Sequence, residues 1–179
     1  MQDDTVRKTR VFWAWMDEQE EQWLREMASK GYHLSQPLFP CVYSFTRGEP
    51  RDVAYRLDYL NYNSRRSAED RKEYLQVFQD AGWEHVGEMA GWQYFRKPVL
   101  GDEVPEIYTD VDSKVQKYRR LLGYLIVFMP ILVVMLTSLN RRAETPFGCV
   151  LAGLQVGIAL LLIYGFVRIA LRIRQLRRL

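Results

Sequence analysis

Two uncharged stretches, residues 121–139 and 146–167, separated by six residues, limit this chain more than any other feature. The first, LLGYLIVFMPILVVMLTSL, runs for nineteen residues without a charge. As a helix it would span about 28 Å at roughly 1.5 Å per residue, close to the thickness of a bilayer's hydrocarbon core. A chain of 179 residues cannot surround two such helices with protein on every side. The expectation is a transmembrane helical hairpin over residues 119–174 with the lipid bilayer as its solvent.

Cations near the ends of the runs set the orientation. Lys114, Lys117, Arg119 and Arg120 precede the first run, and Arg168, Arg172, Arg174, Arg177 and Arg178 lie at or beyond the end of the second. Only Arg141 and Arg142 sit between. Nine against two places both termini in the cytoplasm, in a multi-pass protein of the inner (cytoplasmic) membrane. Residues 1–10 are charged and no apolar segment with a small-residue cleavage site follows, so no signal peptide is expected there. In the second run Gly153 and Gly157 form Gly-x-x-x-Gly, a face that a neighbouring helix can approach closely. That neighbour is either the other helix of the hairpin or a second chain in a homodimer. Gln155 is the amide inside the run, and neither run holds Asp, Glu, Lys, Arg or His. A proton or ion path built on charged groups has no material here.

The charge is divided between the two parts of the chain. Residues 1–98 carry fourteen Lys and Arg against sixteen Asp and Glu, and residues 99–179 carry eleven against six. The basic excess therefore belongs to the membrane flank, where it suits anionic headgroups. The folded part lacks the basic face that direct nucleic-acid binding needs. Cys41 and Cys149 fall on parts of the chain that the topology keeps apart, and both read as small apolar fillers. Neither they nor His33 and His85 are spaced as metal ligands, so no metal and no cofactor is expected.

Residues 10–15, RVFWAW, are β-branched and aromatic on both alternating faces and read as a central strand. Asp17 with Glu20 three residues later reads as a capping pattern opening a helix whose apolar stripe is Trp23, Leu24, Met27 and Ala28, ended by Gly31. Residues 32–35 and 41–47 read as strands around a loop at 36–40, which two prolines keep out of any ladder. In residues 53–59, VAYRLDY, Tyr55, Leu57 and Tyr59 share one face and Ala54, Arg56 and Asp58 the other. After a polar loop at 61–66, Ser67 reads as the cap of a second helix with the stripe Tyr74, Leu75, Phe78 and Ala81, ended by Gly82. Two more strands follow at 83–88 and 92–97.

These halves repeat. At an offset of fifty-one residues Leu24 meets Leu75, Met27 meets Phe78, Gly31 meets Gly82 and Tyr32 meets Trp83. The expected fold class is α+β: two β-α-β-β repeats forming a ferredoxin-like plait, an antiparallel sheet with both helices on one face, followed by the hairpin. The boundaries expected are a cytosolic domain at 1–98, an acidic-to-basic linker at 99–118, the hairpin at 119–174 and a basic tail at 175–179.

The strings EQWLREMASKGY (residues 21–32), YRLDY (55–59), AGWEHVG (81–87) and GWQYFRKP (91–98) resemble the bacterial family known as domain of unknown function 2812. That resemblance implies a bacterial membrane protein with C-terminal transmembrane helices and a link to PadR-type transcriptional repressors. It implies no activity and no catalytic residue.

The chain reads as a membrane-anchored cytosolic sensory or regulatory binding module rather than an enzyme. It shows no nucleophile elbow, phosphate loop or metal-spaced cluster. Arg56 and Asp58, with Tyr55 and Tyr59 beside them, are the candidate ligand- or partner-binding residues, because Arg and aromatics dominate interface energies. The other reading is an accessory subunit of a larger membrane complex such as a transporter, docked through Gly153 and Gly157.

Overall fold

A computed structural model describes residues 5–60, 68–108, 111–140 and 146–177. The chain divides into two compact units, Met1–Asp110 and Val111–Leu179.

The first unit is α+β, in the order β1 (Thr5–Thr9), α1 (Asp17–Ser29), β2 (Tyr32–Leu38), β3 (Val42–Arg47), β4 (Val53–Tyr59), α2 (Ala68–Asp80), β5 (Glu84–Met89) and β6 (Trp92–Pro98). Its strands form two three-stranded antiparallel sheets, β1-β3-β2 and β4-β6-β5, where the sequence led us to expect one. Each sheet takes its first, third and second strands in that order, so the strand before each helix and the strand after it flank the hairpin's return strand. The duplication extends to detail. A register shift between Leu34 and Gln36 in β2 recurs between His85 and Gly87 in β5, at the same offset of fifty-one. Gly31 and Gly82 both leave their helices at φ +79°, the left-handed conformation that a side chain disfavours.

The helices do not share a face. Tyr94 and Phe95 are consecutive in β6 and so point to opposite sides of the second sheet. Tyr94 bonds to Glu20 of α1, and the Phe95 ring lies 4.4 Å from that of Phe78 in α2. The second sheet is thus covered by α1 on one side and α2 on the other. α1 also covers its own sheet, with Trp23 edge-on to Tyr43 and Phe45 at 5.0 and 5.7 Å.

Three local readings change. Residues 10–15 are a loop, and β1 lies before them, pairing Val6 with Phe45 and Lys8 with Tyr43. Met16 donates back to the Trp13 carbonyl, and Trp13 and Trp15 stack on each other instead of entering a ladder. The capping box is not formed: Met16 is the N-cap with no side-chain bond, Asp17 is buried in the first turn, and Glu20 is taken by two tyrosines. β2 continues through the prolyl residue Pro37, which an edge strand tolerates because its missing N–H faces away from the ladder. Ser67, the loop at 61–66 and the turn with Arg141 and Arg142 lie outside the described residues.

The segment after β6 is not a free linker. Val99, Val104 and Ile107 pack on the cluster of Ala54, Phe78, Trp83 and Phe95, and Val99 N–H donates to the Asp52 carbonyl. The first unit therefore ends about ten residues later than 98, because burial of these three side chains recruits the segment to its core.

The second unit is two helices packed on each other, α3 (Val111–Asn140) and α4 (Pro146–Leu176). α3 contains Pro130, which removes one intrahelical hydrogen bond. Among the described residues one helix, Cys149–Leu176, is long and apolar enough to cross a membrane. Only 11% of its 18-residue apolar window is buried within the protein, unlike the core helix of a soluble domain. A Cβ added at Gly153 or Gly157 would meet nothing within 4 Å. Cys149 is exposed and Cys41 half-buried in the left-handed region, so neither is a core filler.

Candidate functional site

β2 and β5 are the edge strands at which the two sheets come side by side. Their paired bulges leave backbone groups that the ladders do not use, and the other repeat's side chains take them. Leu34 N–H donates to the Tyr55 hydroxyl at 3.2 Å, and Arg96 Nη1 donates to the Leu34 carbonyl at 3.2 Å. At one end the seam is closed, since even a Cβ on Gly87 would stand 3.0 Å from Pro37 Cδ. Beyond Leu34 it opens into a cleft of about 400 Å³ lined by His33, Leu34, Ser35, Thr46, Glu84, His85, Val86 and Arg96.

One wall of the cleft is a bidentate ion pair. Arg96 Nε donates to Glu84 Oε2 at 2.8 Å and Nη2 to Oε1 at 2.6 Å. Hydrogen bonding from Arg96 holds the Glu84 carboxyl below its ordinary range, and the same contact raises Arg96. Both side chains keep solvent exposure, 31% for Arg96 and 62% for Glu84, so the pair is open to exchange with a ligand. Behind it, burial raises the Tyr55 phenol. His33 Nε2 donates to the Glu49 carbonyl at 2.8 Å, and Ser35 Oγ to the Ser44 carbonyl at 2.9 Å. His85 turns to Gln93 at 2.9 Å, and burial lowers its pKa. The cleft thus presents a fixed cation, a fixed anion and hydroxyls, an arrangement for holding a small polar molecule. Among the described residues no three His, Cys, Asp or Glu side chains lie where they could share a metal ion.

The residues singled out in the sequence sit elsewhere. Asp58 is wholly buried and accepts from the Tyr74 hydroxyl at 2.7 Å. Arg56 turns away from it, pairing with Glu106 at 2.8 Å and approaching Glu21 at 3.5 Å, with Nη1 also donating to the Tyr55 carbonyl. Tyr59 is buried, edge-on to Trp92 at 5.3 Å. Tyr55 and Tyr59 face away from Arg56 and Asp58 across the strand, so the four do not form one site. Tyr55 reaches the seam through Leu34. The cleft residues carried a readable signal, since 33–35 and 84–86 are the same stretch of the two repeats at the offset of fifty-one.

The fold and the apolar C-terminal helix together define a two-part chain, an α+β head with a candidate membrane span. The family described as protein of unknown function DUF2812 matches residues 16–130, and the chain belongs to it. That match runs beyond the head into α3, so the segment after β6 and the start of that helix are family features. No curated protein and no solved structure matches the chain.

Proposed function

We propose that the chain is a membrane-anchored, non-enzymatic binding module whose seam cleft senses a small zwitterion. The exposed Glu84–Arg96 pair beside about 400 Å³ of space carries this reading. An ion pair that is open to water is worth little on its own, and a ligand bearing both charges replaces it with two new pairs. A ligand at the boundary of the two repeats is placed to alter their packing, which is what a sensory or regulatory head requires. A transcriptional regulator of PadR type is the protein partner that such a head would address.

In the finer reading, α3 with α4 forms a two-helix hairpin through the inner membrane. The nine-to-two cation count supports cytoplasmic termini. The test is a thermal-shift screen of the detergent-solubilised full chain against free amino acids and dipeptides. A stabilising ligand whose effect is lost in Glu84→Gln and Arg96→Gln is expected. Shifts unchanged in both variants would reject the cleft.

The open Gly153 and Gly157 face favours a second reading, an accessory subunit that docks on another membrane helix there. Replacing both glycines by Ile should then dissolve a detergent-stable complex, including any homodimer.

A further inference from the structure

β1 ends at Thr9 and β2 at Leu38, both opposite Val42, where β3 begins. The loop at 10–15 and the turn at 39–41 therefore leave the same end of the first sheet. Arg10 N–H ties them together by donating to the Cys41 carbonyl at 3.0 Å. This end carries large apolar side chains that the fold leaves in water: Phe39 is 78% exposed, Val11 59% and Trp13 46%. The loop is held in shape. Trp13 and Trp15 stack at 5.7 Å and 7°, and the Met16 to Trp13 turn fixes their backbone. The Arg10 guanidinium lies over the Phe12 and Trp23 rings at 5.1 and 5.3 Å, and Arg7 is exposed on the strand leading in. Glu18 is the exposed acid that follows.

We infer that this end of the head docks on an anionic lipid surface. Indole and phenyl rings seat at the level of the headgroups, and flanking arginines meet the negative charge there. A small apolar patch of this size binds a bilayer only weakly by itself. An anchor in the same chain supplies the missing affinity by holding the bilayer at high effective concentration. The inference rests on the membrane-anchor reading above. It adds a lipid contact made by the head's own side chains.

All five tryptophans fall within residues 13–92, so their fluorescence reports on the head alone, and Trp83 and Trp92 are buried. The experiment reconstitutes the full chain into phosphatidylcholine and phosphatidylglycerol vesicles whose acyl chains carry bromine, a contact quencher. Floated vesicles should show strong tryptophan quenching relative to unbrominated lipid, and the double variant Val11→Glu and Phe39→Glu should lose most of it. Should that variant misfold by circular dichroism, Phe39→Ser alone, at the most exposed of the three, should still weaken the quenching. A protein that floats without being quenched overturns the docking surface while sparing the anchor, as does undiminished quenching in a folded variant. A protein that fails to float overturns the anchor and the docking surface together.

Discussion

Glu20 Oε1 accepts a hydrogen bond from Tyr94 Oη at 2.6 Å, linking the first helix to the middle strand of the opposite repeat. The same oxygen accepts from Tyr43 Oη of its own repeat at 2.7 Å. One carboxylate thus fastens both sheets to α1. Its position far from water raises its pKa above the ordinary 4.5, burial outweighing the two hydroxyl bonds.

That shift has a definite pH sign. A carboxyl whose pKa is higher folded than unfolded binds more protons when folded, so stability falls as pH rises from 4.5 through the folded value. Glu20→Gln keeps an acceptor for both tyrosines and removes the ionisation. Urea midpoints read by tryptophan fluorescence should decline over that window in the parent chain and stay flatter in the variant. Parallel curves for the two would place the titration on another group.

Gly31 and Gly82 occupy equivalent positions but differ in what surrounds them. A Cβ at Gly31 would stand 2.5 Å from the Gly48 carbonyl oxygen, whereas at Gly82 it would meet the end of the Lys97 side chain at 3.3 Å. Alanine at Gly82 should cost about 1–2 kcal/mol for the left-handed backbone. At Gly31 the cost should be larger, because backbone must move. Equal losses in chemical denaturation would mean that the β3–β4 connection yields freely.

Asp58→Ala should destabilise the head by about 1–3 kcal/mol, since it removes a wholly buried carboxylate that accepts from the part-buried Tyr74 hydroxyl. Tyr74→Phe made together with Asp58→Ala should recover part of that loss. Arg56→Ala should cost less, because Glu106, its nearest partner, is nearly half exposed. An unchanged denaturation midpoint for Asp58→Ala would return this residue to the list of ligand-facing candidates.

Arg96 depresses the Glu84 carboxyl, so the pair contributes above pH 4.5 and is lost as pH falls through the folded value. Arg96→Met should return the Glu84 titration, followed by carbon-detected NMR, to the ordinary range. It should also loosen the seam, read as faster amide exchange at Leu34 and its neighbours. A Glu84 titration unmoved by the substitution would show that the pair is not formed in solution.

The helices and most strands were legible because their signals are local: apolar stripes at helical spacing, glycines at helix ends and alternation in residues 53–59. The duplication was legible for the same reason, as one pattern written twice. The loop at 10–15 misled because its aromatics have the composition of a strand, and only the Trp13 and Trp15 stack and the pairing of β1 show otherwise. The separation into two sheets depends on which side chain reaches Glu20 from 23 and 74 residues away, which no local pattern encodes. Arg56 and Asp58 drew attention as a charged pair on one strand face. Their actual partners, Glu106 and Tyr74, come from segments whose placement is tertiary. The stretches that line the cleft could be matched through the repeat, but its ion pair could not, because it depends on the register that sets Glu84 opposite Arg96.

Val99, Val104 and Ile107 tie the segment after β6 into the head's own interior, against Ala54, Phe78, Trp83 and Phe95. A head ended after Pro98 would strip a side of its own interior and expose Phe78. Any pull on the polypeptide at that exit would act first on Tyr108, whose ring lies 6.4 Å edge-on from that of Phe78, and then on Ile107 and its contacts with the core, so mechanical load and head stability are one variable at this point.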